Sequence, residues 1–451
     1  MSAALKKIDA KHLEEVRAHY ENYPYPVREP ATERDYLYMP ITEAFDGMNH
    51  FCFEGRLNIR KGFRALVAGG GTGDAIIGLA EQCRDYPACE LVYVDMSQAS
   101  MRIAKERAKV RGLANIRWVH DSLLNIPNLG VGKFDYINCS GVLHHLASPT
   151  EGLAALRSVL KDEGAMGIML YAQYGRMAVY MMQEALRMLN RDEPNLQTQV
   201  DHAKAVLNNL PPTNWFLNSS PMVINEVRSG DIAIYDLLLH SQDRAYSIPQ
   251  LYEFMEGAGL HILQMFSDDF ALGNDQYNPV LYIKDPVLLE KVRSWPVREQ
   301  QTLAELLHGK IEKHTFYAAP NPRKPADYRN LNMIPCMGQM GEKVAGLLTD
   351  IIDNADGLVD VTSVSSKARV MFLKTPHASR ILKLVDNTRS LHEIFSMVIA
   401  NVGKNAPDIQ TLAMEFENFF LALNKYNWMF MRAKNSEPAL GLSFMQNRVP
   451  L

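Results

Sequence analysis

The sequence predicts an α/β protein built on a doubly wound, mostly parallel sheet. From Arg60 onward, short β-rich apolar runs alternate with helix-length intervals, the rhythm of a sheet buried between two helix layers. The first run, 64–68 (RALVA), enters a loop carrying Gly69, Gly70, Gly71 and Gly73. A second run, 91–94 (LVYV), stops on Asp95. A strand that ends in glycines and opens a helix puts bare backbone N–H groups beside a ligand, because a side chain there would hold the ligand away. A nucleoside cofactor pocket is expected at that point.

The elements follow in order. Residues 4–20 read as a short helix, with Leu5, Ile8, Leu13 and Val16 among Lys and Glu. They lead into 20–26 (YENYPYP), where Pro24 and Pro26 impose an extended path and Tyr20, Tyr23 and Tyr25 offer large amphipathic faces. This arm, within a first region 1–59, is either a lid on the site or a segment packed on the surface. Strands are expected near 64–68, 90–94, 115–119, 134–139 and 164–171, and helices near 73–83, 97–110 and 149–160. The run 166–170 (MGIML) is continuously apolar, as a strand covered on both faces requires. An insertion at about 175–247 follows, with a helix over 176–189, a constrained loop at 211–216 (PPTNWF), and an apolar segment ending near 239. Ligands of open α/β sheets bind at the carboxyl ends of the strands, so this insertion is placed there as a substrate cover. A helix over 247–259 then leads to a strand ending at Met265, and 278–283 (NPVLYI) is its expected partner at the sheet's end.

Residues 286–451 are expected to form a separate, mainly helical α+β accessory domain for substrate recognition or dimerisation. A helix is read over 288–307, a candidate strand over 311–317 and a turn-rich linker at 319–325 (APNPRKP). Ser390 and Glu393 make a capping box before a helix through Val398. A last helix over 414–431 carries an aromatic stripe, read as core.

Composition narrows the function. An apolar fraction of 47% and a charged fraction of 22% are ordinary for a folded protein. A net charge of −4 gives no whole-chain attraction to nucleic acid. Cys52, Cys83, Cys89, Cys139 and Cys336 show neither disulfide-framework nor metal spacing. No apolar run reaches membrane-spanning length and the N-terminus lacks a signal core, so a cytoplasmic protein with no membrane partner is expected.

The glycine loop is not a dinucleotide fingerprint. Gly69-x-Gly71 is followed at the third position by Asp74, and Gly71-x-Gly73 by Ile76. An acid beside the first helical turn would repel a pyrophosphate but suit a cofactor carrying an amino group and a sulfonium. The segment resembles the nucleotide-binding loop of class I S-adenosylmethionine-dependent methyltransferases, and the resemblance runs through roughly residues 60–285. It continues in 119–122 (VHDS), in 134–140 (FDYINCS), and in 141–146 (GVLHHL) after the fourth strand.

The resemblance implies a seven-stranded sheet whose last strands form an antiparallel pair, with S-adenosylmethionine as cofactor. It implies that Gly69, Gly70, Gly71 and Gly73 pass under the methionine part and that Asp95, with Met96 beside it, bonds the ribose. It also implies that Asp121 or Ser122 holds the adenine amino group, with Ser140 closing the fourth strand and Tyr23 on the lid. The family usually carries an acid two residues before the first glycine, where this chain has Val67, so Asp74 is the expected substitute.

For methyl transfer, His144 and His145 are candidates for a base or for shaping the pocket. Tyr171 and Tyr174 can guide an amine. Asp236 and His240, four apart, would share a helix face. No third ligand at a recognisable spacing accompanies the histidines, so no metal is expected. The substrate is a small molecule or a protein or peptide side chain, methylated on N or O, and a homodimer is allowed. The other reading keeps the fold without catalysis, as a cofactor-binding or protein-interaction subunit.

Overall fold

The computed structural model describes residue 17 and residues 20–437, apart from 220, 241, 268, 270, 339–340 and 363–368. Most of the expected helix at 4–20 lies outside the described residues.

Five strands come where the apolar runs stand: β1 (Phe63–Ala68), β2 (Cys89–Asp95), β3 (Ile116–His120), β4 (Phe134–Ser140) and β5 (Leu160–Ala172). They are followed by the two-residue β6 (Ala245–Tyr246), then β7 (His261–Phe266) and β8 (Lys313–Ala319). The strand order is 3-2-1-4-5-8-7, with β6 pairing the end of β5. β1 to β5 pair in parallel, and β8 runs antiparallel between β5 and β7.

Alternation along β1 shows why both faces are buried. Phe63, Ala65 and Val67 join one apolar cluster, with α1 (Phe45–Cys52) and α2 (Asp74–Gln82). Leu66 and Ala68 join the other, with α4 (Pro149–Ser158). Between these, α3 (Gln98–Arg111) is capped by Ser97, whose side chain accepts from the Ser100 N–H, and it ends at Gly112 in the left-handed region.

The insertion is helical, with α5 (Met177–Leu189), α6 (Leu196–Asn208), α7 (Pro221–Arg228) and α8 (Asp231–Leu238). Its own apolar cluster includes Val179, Leu186, Val200, Phe216 and Leu237. After it, α9 (Ile248–Gly257) starts with a Ser247–Gln250 capping box and leads into β7.

Three expectations need correction. Residues 278–283 are not the closing strand: Asn278 caps a short 3-10 turn over Pro279–Leu281, and Pro279 has no N–H to give a ladder. The closing antiparallel strand is β8, so the sheet ends at Ala319 and the core does not stop at 285. The helix expected over 288–307 is two helices, α10 (Pro286–Arg293) and α11 (Val297–His308), separated at Pro296.

The third correction concerns the accessory region. It contains β9 (Ile334–Met337), α12 (Gly341–Asn354), the hairpin β10 (Leu358–Thr362) and β11 (Arg369–Leu373), α13 (Ala378–Lys383), α14 (Leu391–Val402), α15 (Ile409–Lys425) and β12 (Met429–Arg432). The aromatic helix stops at Lys425; residues Met429–Arg432 turn into a strand paired with β9. That strand delivers Phe430 into the apolar cluster of the sheet domain, against Phe51. The region has its own core, yet it is docked onto α1 and the turn after it: Ala433 N–H donates to Gly55 O at 2.7 Å and Ala326 N–H to His50 O at 2.8 Å. No helix among the described residues is long and apolar enough to cross a membrane.

Candidate functional site

A cavity of about 660 Å³ opens at the carboxyl ends of β1, β2, β4 and β5, beneath the N-terminal arm and beside the insertion. Gly69, Gly70 and Gly71 form its floor and Asp95, Met96, Ser122, Ser140 and Val142 its nucleoside-side wall. Side chains are excluded from the floor by what packs behind it. A Cβ on Gly69 would stand 2.6 Å from Val142, and one on Gly71, whose φ is +51°, 2.8 Å from the Tyr25 carbonyl oxygen.

Asp95 ends β2 with its carboxylate facing the loop. Oδ2 accepts from Gly71 N–H at 2.7 Å and Oδ1 from Ser97 N–H at 2.8 Å. Burial raises its pKa, and these backbone bonds oppose the rise. Each oxygen keeps a second lone pair, so two neighbouring hydroxyls can still be received.

Several expected residues have other duties. Gly73, with φ +105°, begins α2 against Ala104 and does not reach the cavity wall. Asp121 accepts from Ser122 N–H at 2.7 Å and from Asn125 Nδ2 at 3.0 Å; it positions Ser122, which reaches the wall. Asp74 lines the cavity but is held by Arg28 (2.8 and 2.6 Å) and by Arg107 (2.7 Å). It latches the arm, so it is no open substitute for the acid absent at Val67. Tyr23 faces away, packing on Tyr235 of the insertion with ring centroids 4.8 Å apart. Tyr20 and Tyr25 line the cavity in its place.

The arm crosses the mouth on polar contacts. Ser97 Oγ donates to Tyr20 O (2.9 Å), Thr72 Oγ1 to Pro26 O (2.7 Å), and Gln98 and Ala99 N–H to the Glu21 carboxylate (2.7 and 3.0 Å). Tyr25 OH donates to Glu226 of the insertion at 2.7 Å.

The wall also includes Tyr20, Tyr25 and Tyr171 with Glu226, Asp236, Glu312, Arg176 and Lys313. Burial pushes the Tyr20, Tyr25 and Tyr171 hydroxyls up, and Asp236 adds to each, so all three stay protonated. Arg176 lies 3.5 Å over the Tyr171 ring and pairs with Asp243 at 3.1 Å.

Behind that wall the histidines form a bonded stack. His144 stacks on Tyr171 and His145 on His240, each with centroids 3.9 Å apart. His145 Nδ1 faces the Gln242 carbonyl at 3.0 Å, so Nδ1 carries its proton and Nε2 accepts from His144 Nε2 at 3.1 Å. Burial, then His145 and Arg176, hold the His144 pKa well down. His145 reaches the cavity wall; His144 and His240 do not. Asp236 belongs to α8, whereas His240 lies past its end and accepts from Gln242 N–H at 3.1 Å, so the two do not share a helix face. Tyr174 also stays off the wall.

Spacing hid one further neighbour. Asp243 brings a ligand atom within 4.8 Å of those of His144 and His145. Its carboxylate already carries Arg176, whose guanidinium would oppose a cation there.

Tyr20, Tyr25, Arg28, Tyr38, Glu43, Asn138, Val142, Arg176, Glu226, Glu312 and Lys313 reach the wall without having been singled out from sequence as site residues. Only the arm carried a local signal, its tyrosine–proline run.

S-adenosylmethionine suits this wall. A glycine floor, an acid with lone pairs left over, and apolar Met96, Leu123 and Val142 match a nucleoside, and carboxylates match a cationic end. Residues 66–166 match the family model described as a methyltransferase domain. An uncharacterized protein of a Synechococcus strain is 31% identical over 268 residues, 59% of this chain and 62% of that protein. Demethylmenaquinone methyltransferase of Geobacillus kaustophilus is 30% identical over 109 residues, 24% of this chain and 45% of that enzyme. The chain therefore covers less than two thirds of either relative. Among solved structures, PKMT2 from Rickettsia typhi in complex with AdoHcy aligns with a TM-score of 0.60 over 91% of this chain and 77% of that one. Its identity is 15%, a likeness of fold. The match of residues 66–166 to a methyltransferase domain, with the likeness of fold, accordingly supports a class I, S-adenosylmethionine-dependent methyltransferase.

Proposed function

We propose that the protein transfers the methyl group of S-adenosylmethionine to an amine nitrogen held in the chamber of Tyr20, Tyr25 and Tyr171. The observation that carries this reading is the wall itself: three neutral phenols interleaved with Glu226, Asp236 and Glu312. Such a wall attracts a cation and orients its N–H bonds through ring faces and carboxylate oxygens.

The cofactor supplies a methyl group on a sulfonium, open to direct displacement. The chain's part is to align the nitrogen with that methyl and to exclude water, and alignment alone is worth roughly 7–11 kcal/mol. An ammonium drawn in by this wall must first give up a proton, to the Glu226 carboxylate, whose pKa burial raises, or to solvent; the neutral nitrogen then takes the methyl as the carbon–sulfur bond breaks, with Glu226 and Asp236 on the wall beside its remaining hydrogens. Both nitrogens of His145 are engaged in the stack, so His144 and His145 brace Tyr171 rather than take a proton.

Labelled-methyl transfer into cell extracts tests the reading. Label should enter native extract and disappear when the amines of that extract are acetylated beforehand. Label that persists after acetylation would rule out an amine acceptor. A chain that binds the cofactor yet labels neither extract would favour the non-catalytic reading.

A further inference from the structure

Of the carboxylates on the cavity wall, Glu43 is the most enclosed, at 0% exposure. Among the described residues, the donors identified to it are neutral. Thr42 Oγ1 lies at 2.9 and 3.1 Å, Asn138 Nδ2 at 2.6 Å and Tyr136 OH at 3.3 Å. Burial pushes its carboxyl up to about 7 against those bonds, and the like charge of Asp74 adds to the rise. A carboxylate shut away from water is costly without a counter-charge. None of the ion pairs identified among the described residues includes Glu43.

Its position is built. Glu43 ends the turn Ile41–Glu43, which Gln82 of α2 clamps from both sides: Gln82 Nε2 donates to Glu43 O at 2.7 Å, and its Oε1 accepts from Phe45 N–H at 2.9 Å. Asn138, which bonds the carboxylate, is the register partner of Val67 across β1 and β4. The carboxylate therefore stands over the β1–β4 gap, and Asp95 stands on β2, across the glycine floor. A ligand with its ribose at Asp95 and its chain laid along the floor toward β4 would bring its far end to the part of the wall that Glu43 and Asn138 share.

We propose that Glu43 is the counter-charge for the cationic amino-acid end of S-adenosylmethionine, supplied by a turn that precedes the sheet. This rests on the cofactor assignment and extends it to a residue outside the glycine loop. The arm region then belongs to the cofactor site itself, and the space beside Val67 is served from another element.

Calorimetry with three probes tests it: S-adenosylhomocysteine, its analogue lacking the amino group, and 5′-methylthioadenosine, which lacks the whole amino-acid end. Glu43→Gln keeps an acceptor for Asn138 but removes the charge. It should weaken S-adenosylhomocysteine roughly 10- to 100-fold, the scale of a lost charged hydrogen bond, and leave the other two within about twofold on the same principle. Glu43→Asp, which keeps the charge, should retain a clear preference for the amino-bearing ligand, and it serves as the test variant if Glu43→Gln does not fold. Equal losses for all three probes in Glu43→Gln, an undiminished affinity for S-adenosylhomocysteine, or no amino-group preference in Glu43→Asp would overturn the proposal. Failure of the unaltered protein to bind any probe would overturn the cofactor assignment instead.

Discussion

Asp95 does two jobs with one carboxylate: it holds the glycine loop through Gly71 and the start of α3 through Ser97, and it offers its remaining lone pairs to the cavity. Asp95→Ala should lower affinity for S-adenosylhomocysteine roughly 10- to 100-fold, with Asp95→Asn intermediate because one acceptor oxygen remains; calorimetry on both variants checks this, and near-native affinity in the alanine variant would contradict it. Residues such as Asp95, Met96 and Ser140 were legible in the sequence because each directly follows or closes a parallel strand, and the fold puts strand ends at the site. Glu43 was not legible, since nothing in the spacing of 41–45 (ITEAF) ties it to a strand ending at Ala68. Tyr23 was singled out where Tyr20 and Tyr25 line the cavity, because the arm begins as a helical turn at 20–22 before extending, which an all-extended reading missed.

At the scale of elements, the arm is fastened by buried ions. Glu33, on the short 3-10 turn Pro30–Arg34, pairs through both oxygens with Arg107 and Arg111 of α3, all three almost fully buried. Glu33→Leu would remove the carboxylate that both enclosed guanidinium groups share, leaving Arg107 with Asp74 and Arg111 with Glu81 at 3.6 Å. It should cost about 3–5 kcal/mol, the usual cost of breaking a buried pair from one side. A fall in the urea midpoint and new protease cleavage within the arm are the expected readings, and an unchanged midpoint would contradict the role. β1 to β5 were legible to within a few residues because continuous apolar runs have one solution in a doubly wound sheet. The strand read at 311–317 lies at Lys313–Ala319, but its place in the sheet was given to 278–283, because α10 and α11 intervene between β7 and its partner and 278–283 carried the apolar pattern without the backbone donors a ladder needs.

For the whole molecule, the junction between the sheet domain and the accessory region turns on His50. Its Nδ1 accepts from Met431 N–H at 3.1 Å, and burial at 2% exposure holds its pKa down to about 4, against an ordinary value near 6.5. A histidine whose folded pKa is depressed contributes stability that is present above the unfolded value and is lost as pH falls through the folded one. Protonation also forfeits the bond from Met431. The unfolding free energy should therefore fall by up to about 3 kcal/mol between pH 6.5 and 4 on this account. Urea titrations across that range should show a shallower slope in His50→Gln than in the unaltered protein; equal slopes would remove His50 as the cause. The junction itself was not legible, because Phe430 continues the aromatic pattern of α15 and only the pairing of β12 with β9 turns it toward the sheet domain. The covering elements have a kinetic meaning as well. Tyr25 bonds Glu226 and Tyr23 packs on Tyr235, so the N-terminal strap and the insertion helices are joined at the cavity. On the proposed function, a ligand passing that mouth has to part both contacts together, and an ordered pattern of product inhibition is the expected outcome.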